Sequence, residues 1–121
     1  MFRTTFTDSA VASYLNKNFR PVNFNITSKD TIEWNGKKYT FKNNINEFVY
    51  TLNQKSLFLP SVSLMNEDNN LITNIPYYLT PENLLPVLKY FAFNDYLQTK
   101  WEDYLKNYTQ QKTEGILKTK N

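Results

Sequence analysis

The chain of 121 residues has no cysteine and no histidine. Without cysteine there is no disulfide, no thiolate nucleophile and no zinc–sulfur ligation. Without histidine, the commonest general base and the commonest metal ligand are missing too. Together these absences close off thiol–disulfide chemistry by this chain, and with it most nucleophilic and metal-centred mechanisms. No catalytic residue, metal or cofactor is expected. Glycine occurs twice, which argues against a glycine-rich phosphate loop. No apolar run approaches the roughly eighteen residues a membrane span needs. The first residues, Met1-Phe2-Arg3-Thr4-Thr5-Phe6-Thr7-Asp8, hold no apolar stretch of signal-peptide length. The net charge of +3, from 14 basic and 11 acidic residues, is mild, and both signs are spread along the chain. A nucleic-acid partner would call for a basic stripe; the densest basic group, Lys112, Lys118 and Lys120, reads as a solvated tail.

Aromatics are present in abundance: nine Phe, nine Tyr and two Trp. They carry enough buried area per residue to build a core at this length. One domain is expected over residues 1–108, followed by a polar, disordered tail at 109–121.

Asp8 or Thr7 caps a first helix to about Asn18, with Val11, Tyr14 and Leu15 on its apolar face. Phe19 to Ile26 reads as a strand, because Val22, Phe24 and Ile26 alternate with Asn23 and Asn25. Pro21 places that strand's start or edge, since proline donates no N–H. Residues 32–41 form the strongest local signal. Asn35-Gly36 suits a type I′ turn between two arms carrying Trp34, Tyr39 and Phe41. A second helix, capped by Asn43 or Asn44, is expected over about Ile45 to Asn53, with Ile45, Phe48, Val49 and Leu52 on one face. Leu57-Phe58-Leu59-Pro60 then leads into a strand at Ser61 to Met65, and a polar turn at 66–70 and a return strand at Leu71 to Ile75 follow. Thr80 caps a third helix with Pro81 in its first turn. Pro86 removes one intrahelical bond, so a kink or a late start is expected there. A last helix runs from Asn94 or Asp95 to about Tyr108.

The chemically suggestive patterns are few. Glu67-Asp68 and Glu102-Asp103 are adjacent carboxylates, and adjacent helical residues do not face one another. The 66–70 turn lacks the ligand spacing and glycine of a calcium loop. Asn25-Ile26-Thr27 and Asn107-Tyr108-Thr109 match glycosylation acceptors. Trp34, Tyr39, Tyr77, Tyr78, Trp101 and Tyr104 offer material for an aromatic surface. Of these, Tyr77 and Tyr78 are the pair of interest, because neighbours in an extended segment cannot both face inward.

The order of elements, with the stretches Phe2 through Phe19, Leu59 through Leu64 and Asn74 through Leu84, resembles the thioredoxin-like family, in particular exported bacterial thioredoxin-related proteins of the thiol:disulfide interchange group. Phe2 through Phe19 is similar to the segment that follows the family's Cys-x-x-Cys-Lys motif. Leu59-Pro60-Ser61-Val62-Ser63-Leu64 resembles the strand that begins with the family's cis-proline. Asn74-Ile75-Pro76-Tyr77-Tyr78-Leu79-Thr80-Pro81-Glu82-Asn83-Leu84 resembles its Pro-Gly-Tyr segment, with Tyr77 where the family has glycine. The resemblance spans about residues 2–106. It implies an α/β fold, a thioredoxin-like sheet flanked by helices, with an inserted hairpin at about 32–41 and an extra C-terminal helix. It also implies that the first core strand and both cysteines would stand ahead of Met1, leaving the sheet N-terminally incomplete. Leu59, Pro60 and Ser61 would line a binding groove. The expected function is a redox-inactive relative of thiol:disulfide oxidoreductases with a binding or structural role, and the relatives' location implies the periplasm or export. The alternatives are an interaction module that binds or dimerises through exposed sheet edges, or a carbohydrate- or peptide-binding domain using its aromatics. A protein or peptide partner, or a second copy, is the expected ligand.

Overall fold

A computed structural model describes residues 3–53 and 59–119, with the side chains of the last helix described through residue 113. The elements run α1 (Ser9–Asn18), β1 (Ile32–Trp34), β2 (Lys37–Tyr39), β3 (Phe41–Lys42), β4 (Ile45–Asn46), α2 (Phe48–Leu52), β5 (Val62–Met65), β6 (Leu71–Ile75), α3 (Pro81–Ala92), a 3₁₀ turn (Asp95–Leu97) and α4 (Trp101–Thr119). They divide into two compact units. One comprises Met1–Pro21 with Leu79–Asn121, the other Val22–Tyr78.

The first unit is helical. Asp8 caps α1 by accepting from the backbone N–H of Ala10 and Val11, both at 3.1 Å, which satisfies two donors that the helix start would leave orphaned. Thr80 caps α3 through Asn83 N–H. The apolar stripe of α3, Leu84, Val87 and Leu88, is buried, and Val11 of α1 is fully buried with it. Each such side chain withdrawn from water contributes about 1.5–3 kcal/mol. Thr5, also fully buried, donates from Oγ1 to the Leu79 carbonyl and ties the segment before α1 to the entry of α3.

Pro86 lies buried inside a continuous α3 rather than at its start. The carbonyl it leaves unbonded is that of Glu82, an exposed residue one turn earlier, where water can replace the missing donor. The break after α3 falls instead at Asn94, whose left-handed φ of 65° ends the helix. A single restart at Asn94 or Asp95 is therefore replaced by a 3₁₀ turn and then α4. The backbone of α4 is helical to Thr119, beyond residue 108, where the sequence placed its end.

The second unit is built from hairpins. β1 pairs with β2 in the expected register, Ile32↔Tyr39, Glu33↔Lys38 and Trp34↔Lys37. The turn residues Asn35 and Gly36 have φ of 51° and 79°, as a type I′ turn requires. β3 and β4 repeat the device with Asn43 and Asn44 at φ of 54° and 66°. This pair takes residues 45–46 from the expected second helix, so α2 begins only at Phe48. β5 and β6 pair antiparallel from Val62↔Ile75 to Met65↔Leu71, with a register shift at Leu64/Met65. Phe48 is the hub of this unit: the rings of Tyr39, Trp34 and Phe24 lie 5.1, 5.4 and 5.5 Å from its centroid.

Two further expectations are corrected. Phe19 to Ile26 forms no strand. Its hydrogen bonds go elsewhere: Ile26 O accepts from Asn46 N–H at 2.7 Å. Asn25 Oδ1 takes the N–H and Oγ1 of Thr27, a local bond that competes with strand pairing. Nor do the described strands join into one helix-flanked sheet; they form three separate antiparallel pairs. The mixed α/β class stands.

Candidate functional site

The site is assembled at one end of the β5–β6 hairpin. Leu59, Pro60 and Ser61 lead directly into β5, and Pro76, Tyr77 and Tyr78 leave β6. Because Val62 pairs with Ile75, antiparallel geometry puts both segments at the same end. Leu57 and Phe58, read as the approach to this strand, lie outside the described residues. The Leu59–Pro60 peptide bond is cis. Leu59 is 53% exposed, Tyr77 60% and Tyr78 46%, so this end presents apolar and aromatic side chains to solvent. Both tyrosines face outward, which the sequence had excluded only for the inward direction.

Beneath that end lies a polar cluster. Asn53 terminates α2 and is 4% exposed. Its Oδ1 accepts from Ser61 Oγ at 3.0 Å and from Asn74 Nδ2 at 3.3 Å. Asn74 Nδ2 also reaches Ser63 Oγ at 2.8 Å, its partner across the strand pair, and Ser63 Oγ donates to Leu52 O at 2.5 Å. Asn53 just after α2, Ser61 just before β5, Ser63 in β5 and Asn74 in β6 thus fix the hairpin against the helix end. Asn53 Nδ2 is buried without a partner among the described residues. Only position 61 of this cluster was singled out from sequence. The usable signal was the i, i+2 spacing of Ser61 and Ser63 at the start of β5, with Asn74 opposite on β6.

A second network, equally unforeseen, holds the hairpins. Asn46 is fully buried. Its Nδ2 donates to Ser28 O at 3.0 Å and Asp30 O at 2.9 Å, and its Oδ1 accepts from Phe48 N–H at 3.0 Å. All of the amide's principal hydrogen-bonding capacity serves the backbone.

The remaining sequence candidates are separated. Trp34 and Tyr39 pack on Phe48, and Trp101 and Tyr104 pack on Tyr90 at 5.2 and 4.9 Å, so these four lie half-buried against the two cores. Tyr90 is the helical unit's hub, and its hydroxyl donates to Thr99 O. Burial, then the negative charges of Glu102 and Asp95, push that hydroxyl above the ordinary tyrosine value. Glu67 and Asp68 sit exposed in the β5–β6 turn, where Asn66 Oδ1 accepts from the N–H groups of Asp68 and Asn70. Glu102 and Asp103 are exposed in the first turn of α4. Among the described residues no three acidic side chains gather into a possible metal site. A shallow trough of about 590 Å³ runs along α4 beside Trp101, Leu105 and Thr109. No described helix is long and apolar enough to cross a membrane. The chain matches no protein-family model, no curated protein and no solved structure.

Proposed function

We propose that this chain is a non-catalytic binding domain on a thioredoxin-related scaffold, which takes an extended peptide or protein segment as an added strand along the β5–β6 hairpin. One observation carries this reading. Among the described residues β5 and β6 pair only with each other, so the outer side of each has no neighbouring strand there. Such an edge is a template for another strand. Leu59 and Tyr77, both exposed at one end of the hairpin, supply apolar contact for a bound segment's side chains. Leu59, Pro60 and Ser61 line the approach. The lack of cysteine and histidine leaves the scaffold no means to act as members of the thiol-bearing family it resembles do.

The test is backbone-specific. Short extended peptides selected against the full chain are re-synthesised with single N-methyl groups. Methylation of every second amide, on the side facing the hairpin, should abolish binding, and methylation of the intervening amides should leave it intact. Amide shift changes in the protein should centre on residues 61–75. Equal tolerance of both methylation series, or shifts centred on α1, α3 or α4, would overturn the proposal.

A further inference from the structure

We propose that Asn35 is a deamidation site, and that its conversion releases the β1–β2 hairpin from the β5–β6 turn. The reaction needs no enzyme and no co-reactant but water. The backbone nitrogen of Gly36 attacks Asn35 Cγ and a C–N bond forms. The Cγ–Nδ2 bond breaks, and ammonia departs with the proton from Gly36. Water then opens the resulting five-membered imide at either carbonyl, giving aspartate or isoaspartate at position 35.

Three features single out this asparagine. The residue after it is glycine, which has no side chain to obstruct the attacking nitrogen. Space is open there as well: nothing lies within 4 Å of where a Cβ on Gly36 would stand. Asn35 itself is exposed. The other asparagines held at positive φ, Asn43, Asn44, Asn69 and Asn94, precede Asn, Ile, Asn and Asp, all of which crowd the same nitrogen. They serve as internal controls.

The consequence follows from what the amide does now. Asn35 Nδ2 and Trp34 Nε1 both donate to the Asn69 carbonyl at 3.0 Å. That shared oxygen fastens the first hairpin to the turn between β5 and β6. A carboxylate at position 35 has no proton to donate and faces the carbonyl with like polarity. The isoaspartate product also lengthens the backbone by one methylene inside a two-residue turn. The Trp34↔Lys37 pairing next to it cannot absorb that without losing register.

The full chain is held in neutral buffer at physiological temperature and sampled over weeks. Trypsin liberates the peptide 30–37, between Lys29 and Lys37, which is followed by mass and retention time. The expected result is an amide-to-acid mass gain in this peptide, split into two products, ahead of any gain in peptides carrying the control asparagines. Trp34 indole exchange should quicken on the same time course, and N35Q should suppress both changes. Equal or faster gain at the control asparagines would overturn the site. Indole exchange in N35D that matches the original chain would overturn the release.

Discussion

The two units solve the same packing problem with different materials. In the helical unit the fully buried side chains of the helices are Val11 and Leu84, with Leu88 nearly so, and the centre is completed by the Tyr90 ring cluster. In the hairpin unit Phe48, Val49 and Leu64 share the interior with Asn46 and Asn53. Short strands explain the difference. Each arm of the first two hairpins is three residues or fewer, too short to bury much apolar area. The buried Asn46 amide instead bonds the Ser28 and Asp30 carbonyls and the Phe48 N–H, groups that a helix would have satisfied itself, and Asn53 binds the Ser61 and Asn74 side chains. The helical unit is therefore stabilised chiefly by apolar area. In the hairpin unit, stability rests on bonds whose loss leaves orphans.

The sharpest way to break the comparison is to damage each interior in kind. Leu84→Ala should cost about 3–4 kcal/mol by the loss of a large buried aliphatic group and the void it leaves, read as a lower urea midpoint with unchanged slope. Asn46→Leu, which keeps the volume and removes the polar atoms, should cost about 2–3 kcal/mol because three backbone groups lose their partner. The equivalent exchange in an apolar interior would be nearly neutral, so a cost under about 1 kcal/mol would erase the proposed contrast.

Alkaline titration sharpens it further. The folded-state value of Tyr90 is raised, by burial first and then by Glu102 and Asp95, above the unfolded value of about 10. The stability this provides is complete below about pH 10 and is lost as pH rises through the folded value. Tyr14 and Tyr104, raised by burial and Asp95, act in the same direction. Alkaline unfolding, followed by amide spectra, should begin in the helical unit. Smaller effects are expected at its edges. Thr80→Ala removes the α3 cap and should cost about 1 kcal/mol. Lys89→Met should cost about 0.5–1 kcal/mol, since the ammonium lies 5.8 Å from the Tyr14 ring and 5.5 Å from the Tyr108 ring. Both are measurable by thermal denaturation.

The helical unit was the more legible in sequence. Asp8, Thr80 and the Leu84–Leu88 stripe announce helix starts and a buried face through local periodicity, and the helices formed there. Asn35-Gly36 was equally plain. Asn43-Asn44 was missed, although two adjacent asparagines can occupy the same left-handed positions, because an asparagine before an apolar run also reads as a helix cap. The alternation across Phe19–Ile26 misled for another reason: a strand needs a neighbour, and alternation does not supply one. In the candidate site, Pro60 and the two exposed tyrosines were visible as residue types. The Asn53, Ser61, Ser63 and Asn74 cluster was not, because its members are spread along more than twenty positions and meet only when β5 pairs with β6.

Sequence alone determined what this chain has no groups to perform, where its helices start, and which residues turn its first hairpin, because those properties depend on residue identity and on neighbours within a helical turn. Tertiary structure decided that the strands stay in separate pairs, that Asn46 and Asn53 go inside, and that Leu59 and Tyr77 stay outside. Burial and hydrogen-bond satisfaction are settled by partners distant in sequence, and polarity alone would have placed both asparagines in water.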